Sequence, residues 1–298
     1  LYGRTIPLSA SKIDRFAGCR YAFFLQYGLR AAPWKQAEFD APLFGSFVHD
    51  VLEHVVREAQ EQGGFAAMTD GEISALAERC MDNCMKTYLP QGQAAASRES
   101  YLSARNRQEA AAVVMDVARE LRLSQFAPAA EELRFAPGGP LPPIEYRAKT
   151  GSGLLTGQID RVDTYEADGR RYFRIIDYKT GHKDFDYAEL LYGKNLQMLL
   201  YLFALESYQR RAGTPMQPAG VLYVPGRCDM VKLKPGEDPA QADAERQKDL
   251  RRKGLLLNDE AVLHAMEAYE KKPQYLPFAP GPDLSLIHIS EPTRLGMI

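Results

Sequence analysis

One stretch of the sequence, residues 155–181, limits the fold more than any other, because it predicts two strands joined by a tight turn. It reads LTGQIDRVDTYEADGRRYFRIIDYKTG, and Asp168-Gly169 is a dipeptide typical of two-residue β-hairpin loops. Counting outward from that loop places Asp160 opposite Asp177. Directly opposed residues point to the same face of a sheet. The stretch therefore predicts two carboxylates on one face of one hairpin.

A lysine joins this pair, since Lys179 lies two residues beyond Asp177 and returns to the same face. Opposed like charges are unfavourable unless something compensates them, and Mg²⁺ is a compensator that prefers carboxylate oxygens. An amine beside such a cation can hold or deprotonate a water molecule. A surface ion pair between Lys179 and one aspartate would give the same spacing, so the hairpin alone leaves both interpretations open.

Two segments of the hairpin, GQIDRVD at 157–163 and IDYKTG at 176–181, resemble the core motifs of the PD-(D/E)XK nuclease superfamily. Within it the chain is most similar to the RecB/AddB branch, the nuclease domains of helicase–nuclease machines that process DNA ends. The resemblance runs from about Leu8 to about Tyr269. It implies an α/β fold with a restriction-endonuclease-like core, in which a mixed central β-sheet is flanked by helices.

The resemblance also implies how the chain is divided. Residues 1–284 are expected to form one nuclease domain, with a helical N-terminal portion at about 1–127 and an α/β core at about 128–270. The tail at 285–298, SLIHISEPTRLGMI, matches nothing in the family and looks like translated adapter or vector sequence. We therefore expect this tail to be non-native.

A histidine on a helix is a further candidate ligand. The segment 43–56 has apolar residues at helical spacing, with Gly45 and His49 one turn apart on an adjoining face. A single histidine on a helix is more often structural, and its spacing to His54 does not fit a zinc HExxH motif. The family, however, carries Gly-x-x-x-His here and uses the histidine as a metal ligand. The resemblance therefore implies a metal site made by His49, Asp160, Asp177 and the carbonyl oxygen of Tyr178.

A second helix is predicted at 196–205, after the hairpin, with a buried stripe of Leu196, Leu199, Leu200 and Phe203. Gln197 and Tyr201 lie one turn apart on another face, where ordinary helix-edge polarity would also explain them. The family repeats Gln-x-x-x-Tyr after DYK, and both residues there support the active site or bound phosphates. The catalytic residues that the resemblance implies are thus Asp160, Asp177, Lys179, Gln197 and Tyr201.

Two charged segments can each be interpreted as functional or as ordinary surface structure. The segment 131–135, EELRF, predicts the start of the sheet, and the resemblance selects Glu132 through a Glu-x-x-Phe pattern. Glu132 could support the metal site, directly or through water, or be a charge at a strand edge. The basic segment 246–253, RQKDLRRK, could track phosphates or be a solvated helix end.

The four cysteines, at 19, 80, 84 and 228, show no disulfide spacing and predict reduced thiols. Cys19 lies in an aromatic-rich run that is similar to the segment carrying the first ligand of a 4Fe–4S cluster in AddB and Cas4-like nucleases. The other three ligands of that family form a C-terminal cysteine cluster, and no cysteine follows Cys228 here. This departure argues against a complete cluster. Cys80 and Cys84, one helical turn apart, are predicted to be a buried pair.

Composition narrows the class of protein. The chain has 298 residues, 45% of them hydrophobic, and a net charge of −2, which is enough for one large α/β domain. Near-neutral charge gives no global signal for nucleic acid, although a nuclease can concentrate acid at its metal and base along its groove. No apolar run could span a bilayer and no signal peptide is visible, so we expect a cytoplasmic location without a membrane partner. The first residue is Leu1, which suggests a fragment of a longer polypeptide.

These observations predict a Mg²⁺-dependent DNA nuclease, with Mn²⁺ as the other candidate cation, that digests single-stranded ends as an exonuclease. The resemblance implies a helicase–nuclease complex in double-strand break repair and recombination, with an AddA-like helicase–nuclease partner subunit. This chain carries no GxxxxGK(S/T) P-loop, so ATP-driven motion would come from elsewhere. The alternatives are a stand-alone Cas4-like or phage-type exonuclease, and a non-catalytic subunit that binds DNA ends.

Overall fold

The strands and helices are seen in a computed structural model, which describes residues 5–32, 41–88, 97–149, 151–181, 183, 185–228 and 247–278. The predicted non-native tail, 285–298, lies outside the described residues. The strands are β1 Thr5–Leu8, β2 Ala127–Phe135, β3 Ile144–Ala148, β4 Gly151–Leu155, β5 Gly157–Ala167, β6 Arg170–Lys179, β7 Gln217–Pro225 and β8 Lys253–Leu256. The α-helices are α1 Ala10–Gly18, α2 Arg20–Phe23, α3 Ala41–Glu61, α4 Asp70–Tyr88, α5 Ser97–Leu123, α6 Tyr187–Leu191, α7 Gln197–Arg211 and α8 Glu260–Met266.

The strands form two sheets. Five strands hydrogen-bond in the order β2-β5-β6-β7-β8, and three in the order β1-β4-β3. In the smaller sheet β4 pairs with β1 in parallel and with β3 in antiparallel orientation, so this sheet is mixed. The α/β class predicted from the sequence is confirmed, whereas the smaller sheet was not predicted. None of the helices in the described residues combines the length and the hydropathy needed to cross a lipid bilayer.

The predicted hairpin is confirmed as β5 and β6. Ala167 faces Arg170 across the turn, as the two-residue loop requires. The loop residues Asp168 and Gly169 have φ angles of 51° and 71°. Positive φ at both positions is the signature of a type I′ turn, whose twist matches that of the strands it joins. The register is therefore fixed locally, by a dipeptide that accepts this backbone.

The two faces of the hairpin carry different residues. On one face Val162 lies opposite Ile175, and both are buried. On the other face Asp163 accepts hydrogen bonds from the guanidinium groups of Arg161, at 2.8 and 3.1 Å, and Arg174, at 2.8 Å. All three charged side chains are buried. Buried charges are tolerated only when they are paired in good geometry, which the bidentate contact supplies.

The chain divides into two compact units. Unit 1 consists of Leu1–Phe39, Ala129–Asp177 and Phe185–Val221, and unit 2 of Asp40–Pro128, Tyr178–Asp184 and Leu222–Ile298. Within unit 2, helix α3 packs on α4 and α5. Its predicted apolar stripe is confirmed as buried, and consists of Val48, Val51, Leu52, Val55 and Val56. The predicted burial of Cys80 and Cys84 on α4 is confirmed too.

The predicted buried stripe of α7 is wrong. Phe203 is 54% exposed, and Leu196, Leu199 and Leu200 are only half-buried. The buried residues of the helix are Met198, Tyr201, Ala204 and Leu205. Apolar residues surround most of this helix, so hydropathy alone could not choose between its faces. The polar pair predicted to lie on another face belongs to the packed side of the helix.

The basic segment before β8 needs a correction as well. Arg246 lies outside the described residues, but Arg252 is neither solvated nor available to phosphates, because it is fully buried. Its guanidinium donates to Asp116 at 2.5 Å and to Glu120 at 2.7 Å, both on α5 of unit 2. The ring of Tyr275 lies 4.6 Å beneath it. A run of basic residues thus supplies one internal cation to unit 2.

Candidate active site

Two carboxylates occupy one face of the β5–β6 hairpin in unit 1. The strand register extends to Arg161 opposite Ile176, and one further step along the same register reaches Asp160 and Asp177. Their positions share the face of Val162 and Ile175, so the acidic end of this face adjoins an apolar middle, and Glu166 lies opposite Arg171 beside the turn. Asp160 is half-buried and Asp177 is buried. The arrangement is the one that the hairpin count predicts.

Glu132 of β2 adds a third carboxylate to unit 1. One of its oxygens lies within 4.8 Å of an oxygen of Asp160, and the side chain is half-buried. Its backbone φ is 47°, although it lies inside a strand. A residue with a side chain in this left-handed region costs about 1–3 kcal/mol, and such strain is concentrated at functional sites. Glu132 is thus better explained by a role at the site than by a strand-edge charge.

Helix α7 supplies a hydrogen-bond donor to the buried carboxylate. The Gln197 amide nitrogen donates to Oδ1 of Asp177 at 2.9 Å. A bond to an ionised carboxylate is stronger than one between neutral groups, so it restrains the orientation of the Asp177 side chain. The role of Gln197 in supporting the site remains a prediction, and this hydrogen bond is the contact through which it would act.

The phenol of Tyr201 lies one turn further along α7. Burial, together with the charges of Asp177 and Asp160, raises the pKa of Tyr201 to about 12. The phenol is therefore protonated at neutral pH. It can donate a hydrogen bond to an anionic substrate but cannot serve as a base.

Gly157 gives Tyr201 the space it occupies. A Cβ atom at position 157 would lie 2.5 Å from Cζ of Phe135 and 2.7 Å from Cε1 of Tyr201. Such distances are far below van der Waals contact, so any side chain here would displace one of the rings. The rings of Phe135 and Tyr201 meet edge to face, with centroids 5.1 Å apart. The first residue of β5 therefore fixes the tyrosine against the start of the strand that carries Asp160.

In unit 2, His49 of α3 lies against the end of β6. Its Nε2 atom is 2.8 Å from the carbonyl oxygen of Tyr178, and the two rings meet edge to face with centroids 5.8 Å apart. Two ligands of an octahedral Mg²⁺, each about 2.1 Å from the ion, stand about 3.0 Å apart. The separation of Nε2 from the carbonyl oxygen is therefore compatible with both atoms binding one cation.

The backbone around Lys179 is held by contacts within unit 2. The backbone nitrogen of Gly226 donates to the carbonyl oxygen of Lys179 at 2.8 Å. Thr180 fits between two glycines, because a Cβ at Gly45 would lie 3.0 Å from its Oγ1 and one at Gly226 would lie 3.1 Å from its Cγ2. The Lys179 amine lies over the ring of Tyr223, 5.9 Å from its centroid. The strand end that carries the lysine is thus closely packed.

The donor groups of each unit, taken separately, are of kinds that a hard divalent cation accepts. Within unit 1 they are carboxylates of Glu132, Asp160 and Asp177, and within unit 2 an imidazole and a carbonyl oxygen. Mg²⁺ prefers oxygen donors at about 2.1 Å and keeps several waters, and imidazole is acceptable to Mn²⁺. Zinc also accepts imidazole and carboxylate ligands, but closed structural zinc sites commonly add thiolates, and none of these donor groups is a thiolate.

The cysteines do not fit a 4Fe–4S cluster. Cys19 is exposed in unit 1, between α1 and α2, whereas Cys80, Cys84 and Cys228 are buried. Burial raises the pKa of Cys80 to about 12 and that of Cys84 to about 11, which disfavours the thiolate that a cluster needs.

Three residues that lie near Lys179 were not predicted from the sequence to have a role there. Thr180 and Gly226 act through close backbone approach, and a glycine that follows Pro225 at the end of a strand was the available signal. Tyr223 gave no signal, since an aromatic residue in an apolar strand is ordinary core.

Known proteins resemble this chain. A family model described as the PD-(D/E)XK nuclease superfamily matches residues 7–276. An ATP-dependent helicase/deoxyribonuclease subunit from Thermoanaerobacter sp. (strain X514) is 32% identical over 271 residues, which cover 90% of this chain and 23% of the relative. The protein of the same name from Acetivibrio thermocellus is 32% identical over 270 residues, covering 90% of this chain and 24% of the relative. The chain thus spans about a quarter of the length of these relatives.

A solved structure is also similar in part. The crystal structure of a provisionally named exonuclease from Eubacterium rectale aligns over 89% of each chain, with 11% identity and a TM-score of 0.37. At that TM-score the likeness supports no inference about this chain.

Proposed function

Because the chain belongs to the PD-(D/E)XK nuclease superfamily, we propose that it hydrolyses phosphodiester bonds of DNA with Mg²⁺, as an exonuclease acting on single-stranded ends. The observation that carries this proposal is the acidic end of the β5–β6 hairpin. Asp160 and Asp177 share a face there, and Lys179 follows at the two-residue spacing that returns to it. A surface ion pair would not require a buried Asp177 held by Gln197.

In this proposal the cation is held by Asp160, Asp177, His49 and the carbonyl oxygen of Tyr178, with Glu132 as a supporting carboxylate. When bound, Mg²⁺ polarises the phosphate and offsets the charge that develops on its oxygens. Mn²⁺ could serve in its place, because its ligand preferences are similar.

The protein side chains supply the rest of the chemistry. Lys179 orients the attacking water or accepts its proton, directly or through hydrogen bonds. Gln197 keeps the Asp177 carboxylate in one orientation. The protonated phenol of Tyr201 donates to the phosphate backbone, so it positions the strand and takes no part in proton abstraction.

The relatives support a wider proposal about the machine. Their name describes a component of an ATP-dependent helicase/deoxyribonuclease, and this chain covers about a quarter of one such component. We propose that it is the nuclease part of a cytoplasmic helicase–nuclease complex with an AddA-like partner, acting in double-strand break repair and recombination. A stand-alone exonuclease is less favoured, because the similarity covers 90% of this chain within a much longer relative.

Cleavage of labelled DNA tests the proposal. The 298-residue chain would be incubated with 5′- or 3′-labelled single-stranded and duplex DNA, with Mg²⁺, with Mn²⁺ or with EDTA. We expect cleavage of single strands that EDTA abolishes. Lys179→Ala should slow the single-turnover rate by roughly 10²–10⁴-fold, whereas the matched variant at an exposed lysine, Lys149→Ala, should leave it unchanged.

The same samples separate the alternatives. Calorimetric titration with Mg²⁺ should show weaker binding to Asp177→Asn than to the unaltered chain, independently of activity. Equal cleavage by the unaltered chain and Lys179→Ala would refute the catalytic assignment. DNA binding without cleavage in either cation would favour the non-catalytic end-binding subunit.

A further inference from the structure

We infer that Tyr223 is a positioning residue for Lys179, whose ring face holds the lysine amine where hydrolysis needs it. The inference rests on the proposed function of Lys179 and adds a residue to it. Tyr223 belongs to β7, a strand that is mostly buried. Its role is visible only from the contact between the two side chains.

The contact is between a cation and a ring that has little freedom to turn. The Nζ atom of Lys179 lies 5.9 Å from the centroid of the Tyr223 ring, within the range of about 6 Å over which a ring face attracts an ammonium group. Tyr223 is only 3% exposed, in the strand next to β6 in the sheet order. A buried ring inside a strand keeps its rotamer, so it offers the amine a fixed surface.

The backbone of Lys179 is tied to the same part of the chain. Gly226, three residues after Tyr223, donates its backbone N–H to the carbonyl oxygen of Lys179 at 2.8 Å. Both the peptide group and the amine of the lysine therefore contact one short segment, 223–226. The lysine stem has four carbons and many rotamers, and fixing both ends removes most of them.

A ring suits this task better than a carboxylate would. A carboxylate partner would take hydrogen bonds from the ammonium group and compete with water and phosphate for its N–H donors. A ring face attracts the charge through its quadrupole and leaves the N–H donors able to point elsewhere. Tyr223 can therefore restrict the position of the Lys179 amine without occupying the groups that the proposed chemistry uses.

Four single variants and one double variant test this role in single-turnover cleavage of single-stranded DNA with Mg²⁺. Tyr223→Phe keeps the ring face, and Tyr223→Leu removes it at similar apolar volume. Tyr275→Leu is the matched control, because it removes another buried ring beneath another cation, Arg252, inside unit 2. Lys179→Ala, alone and combined with Tyr223→Leu, completes a double-mutant cycle.

We expect Tyr223→Leu to lower the cleavage rate roughly 3- to 30-fold, the range expected for losing one cation–ring contact, with the KM for DNA unchanged. Tyr223→Phe should stay within about threefold of the unaltered chain. In the Lys179→Ala background the leucine substitution should have no further effect, because its partner is already absent. Tyr275→Leu should lower the melting temperature but not the rate at temperatures where the protein is folded.

Three results would overturn the inference: a rate unchanged by Tyr223→Leu, a Phe variant as slow as the Leu variant, or additive effects in the cycle. The last two would assign the loss to the hydroxyl or to general packing. Cleavage at equal rates by the unaltered chain and Lys179→Ala would instead refute the proposed function, which identifies that failure separately.

A measurement without DNA tests directly whether the Lys179 side chain lies over the Tyr223 ring. The Cε protons of Lys179, observed in protein labelled with ¹³C-lysine and assigned by their loss in Lys179→Arg, should be shifted upfield by the ring current of Tyr223. The shift should persist in Tyr223→Phe and vanish in Tyr223→Leu. An unshifted signal in the unaltered chain would overturn the inference even if the chain does not cleave DNA.

Discussion

Gly157 is a residue at which the site has no room for a side chain. In Gly157→Ala the new Cβ would lie 2.5 Å from the Phe135 ring and 2.8 Å from the Tyr201 hydroxyl. Overpacking of this kind costs typically about 1–3 kcal/mol, and here the displaced ring belongs to the site. We expect denaturant unfolding to show this loss, together with slower DNA cleavage. The control is Gly71→Ala on α4, where a Cβ meets no atom within 4 Å and helix propensity should make the change neutral or stabilising.

Single residues could be predicted from the sequence only where a motif or a turn names them. Asp160 and Asp177 followed from counting outward from one dipeptide, and the observed register agrees with that count as far as Arg161 and Ile176. Glu132 was ambiguous because nothing local reveals a strand residue with a φ of 47°. Tyr223 could not be found, since its importance lies in a partner more than forty positions away in the chain.

The turn of the hairpin provides a test at the scale of one element. Gly169 has a φ of 71°, but a Cβ there would meet no atom within 4 Å. Gly169→Ala should therefore lower the free energy of unfolding by about 1–2 kcal/mol through backbone strain alone. Asp168→Asn is the matched change, and it should be nearly neutral because asparagine tolerates a left-handed backbone. Equal midpoints for both variants in urea would show that this turn does not fix the register.

The thiols of α4 test its buried face. Burial raises the pKa of Cys80 to about 12 and that of Cys84 to about 11, whereas Cys19 is exposed. With a thiol reagent at about pH 8 we expect one fast equivalent, which Cys19→Ser abolishes, and slow reaction of the rest until the protein unfolds. Fast reaction of three or more thiols in folded protein would include Cys80 or Cys84 and would contradict the packing of α4.

The same pKa shifts give a sign for the dependence of stability on pH. A thiol whose folded pKa lies above its unfolded value stabilises the fold fully below that unfolded value, which is about 9. This contribution is lost as the pH rises from about 9 toward the folded values of about 11 and 12. Replacing both Cys80 and Cys84 by Ala should flatten the decline in melting temperature over that window.

Helix α7 could be predicted from the sequence, but the face that it buries could not. The sequence indicates its existence and its two polar residues, but its orientation was assigned to the wrong face. Leu196, Leu199, Leu200 and Phe203 are the more hydrophobic set, yet the helix buries Met198 and Tyr201. The bond from Gln197 to Asp177 requires that rotation of the helix. The face that packs is therefore not the most hydrophobic one.

For the molecule as a whole, we expect the buried charges of unit 2 to contribute strongly to the free energy of unfolding. Arg252 separates Asp116 and Glu120, so Arg252→Met would leave two buried carboxylates without their cation. Removing one partner of a buried ion pair costs about 3–5 kcal/mol. We expect a loss of that size in denaturant unfolding at neutral pH. Lys253→Met, at the half-buried neighbouring position, should cost less than about 1 kcal/mol.

The deficit of Arg252→Met should shrink in acid. Burial raises the pKa of Asp116, and Arg252 opposes that shift. A carboxyl with a raised folded pKa loses stability as the pH rises through that value, and the loss is greater without the arginine. Lowering the pH from about 7 to about 5 should therefore bring the variant closer to the unaltered chain. A deficit that grows in acid would contradict the assignment of Arg252 as their counterion.

The architecture of the whole chain could be predicted only in outline. The α/β class and the hairpin followed from local pattern and resemblance. The three-stranded sheet did not, because its parallel pair joins β1 to β4 across most of the N-terminal half of the sequence. The two units interleave along the chain, and each is assembled from three separate segments. Such long-range assembly leaves no periodic trace in any one window of sequence.

The two glycines beside Thr180 predict how mutations at distant positions of the gene would affect the protein and how they would be suppressed. Gly45 and Gly226 belong to distant parts of the gene, yet a methyl group at either one meets the same threonine, one through its oxygen and the other through its methyl. Substitutions of these two glycines lie far apart in the gene, yet both should disturb the packing of Thr180. Compensation would be specific to each, since trimming the threonine to serine removes only the atom that crowds position 226.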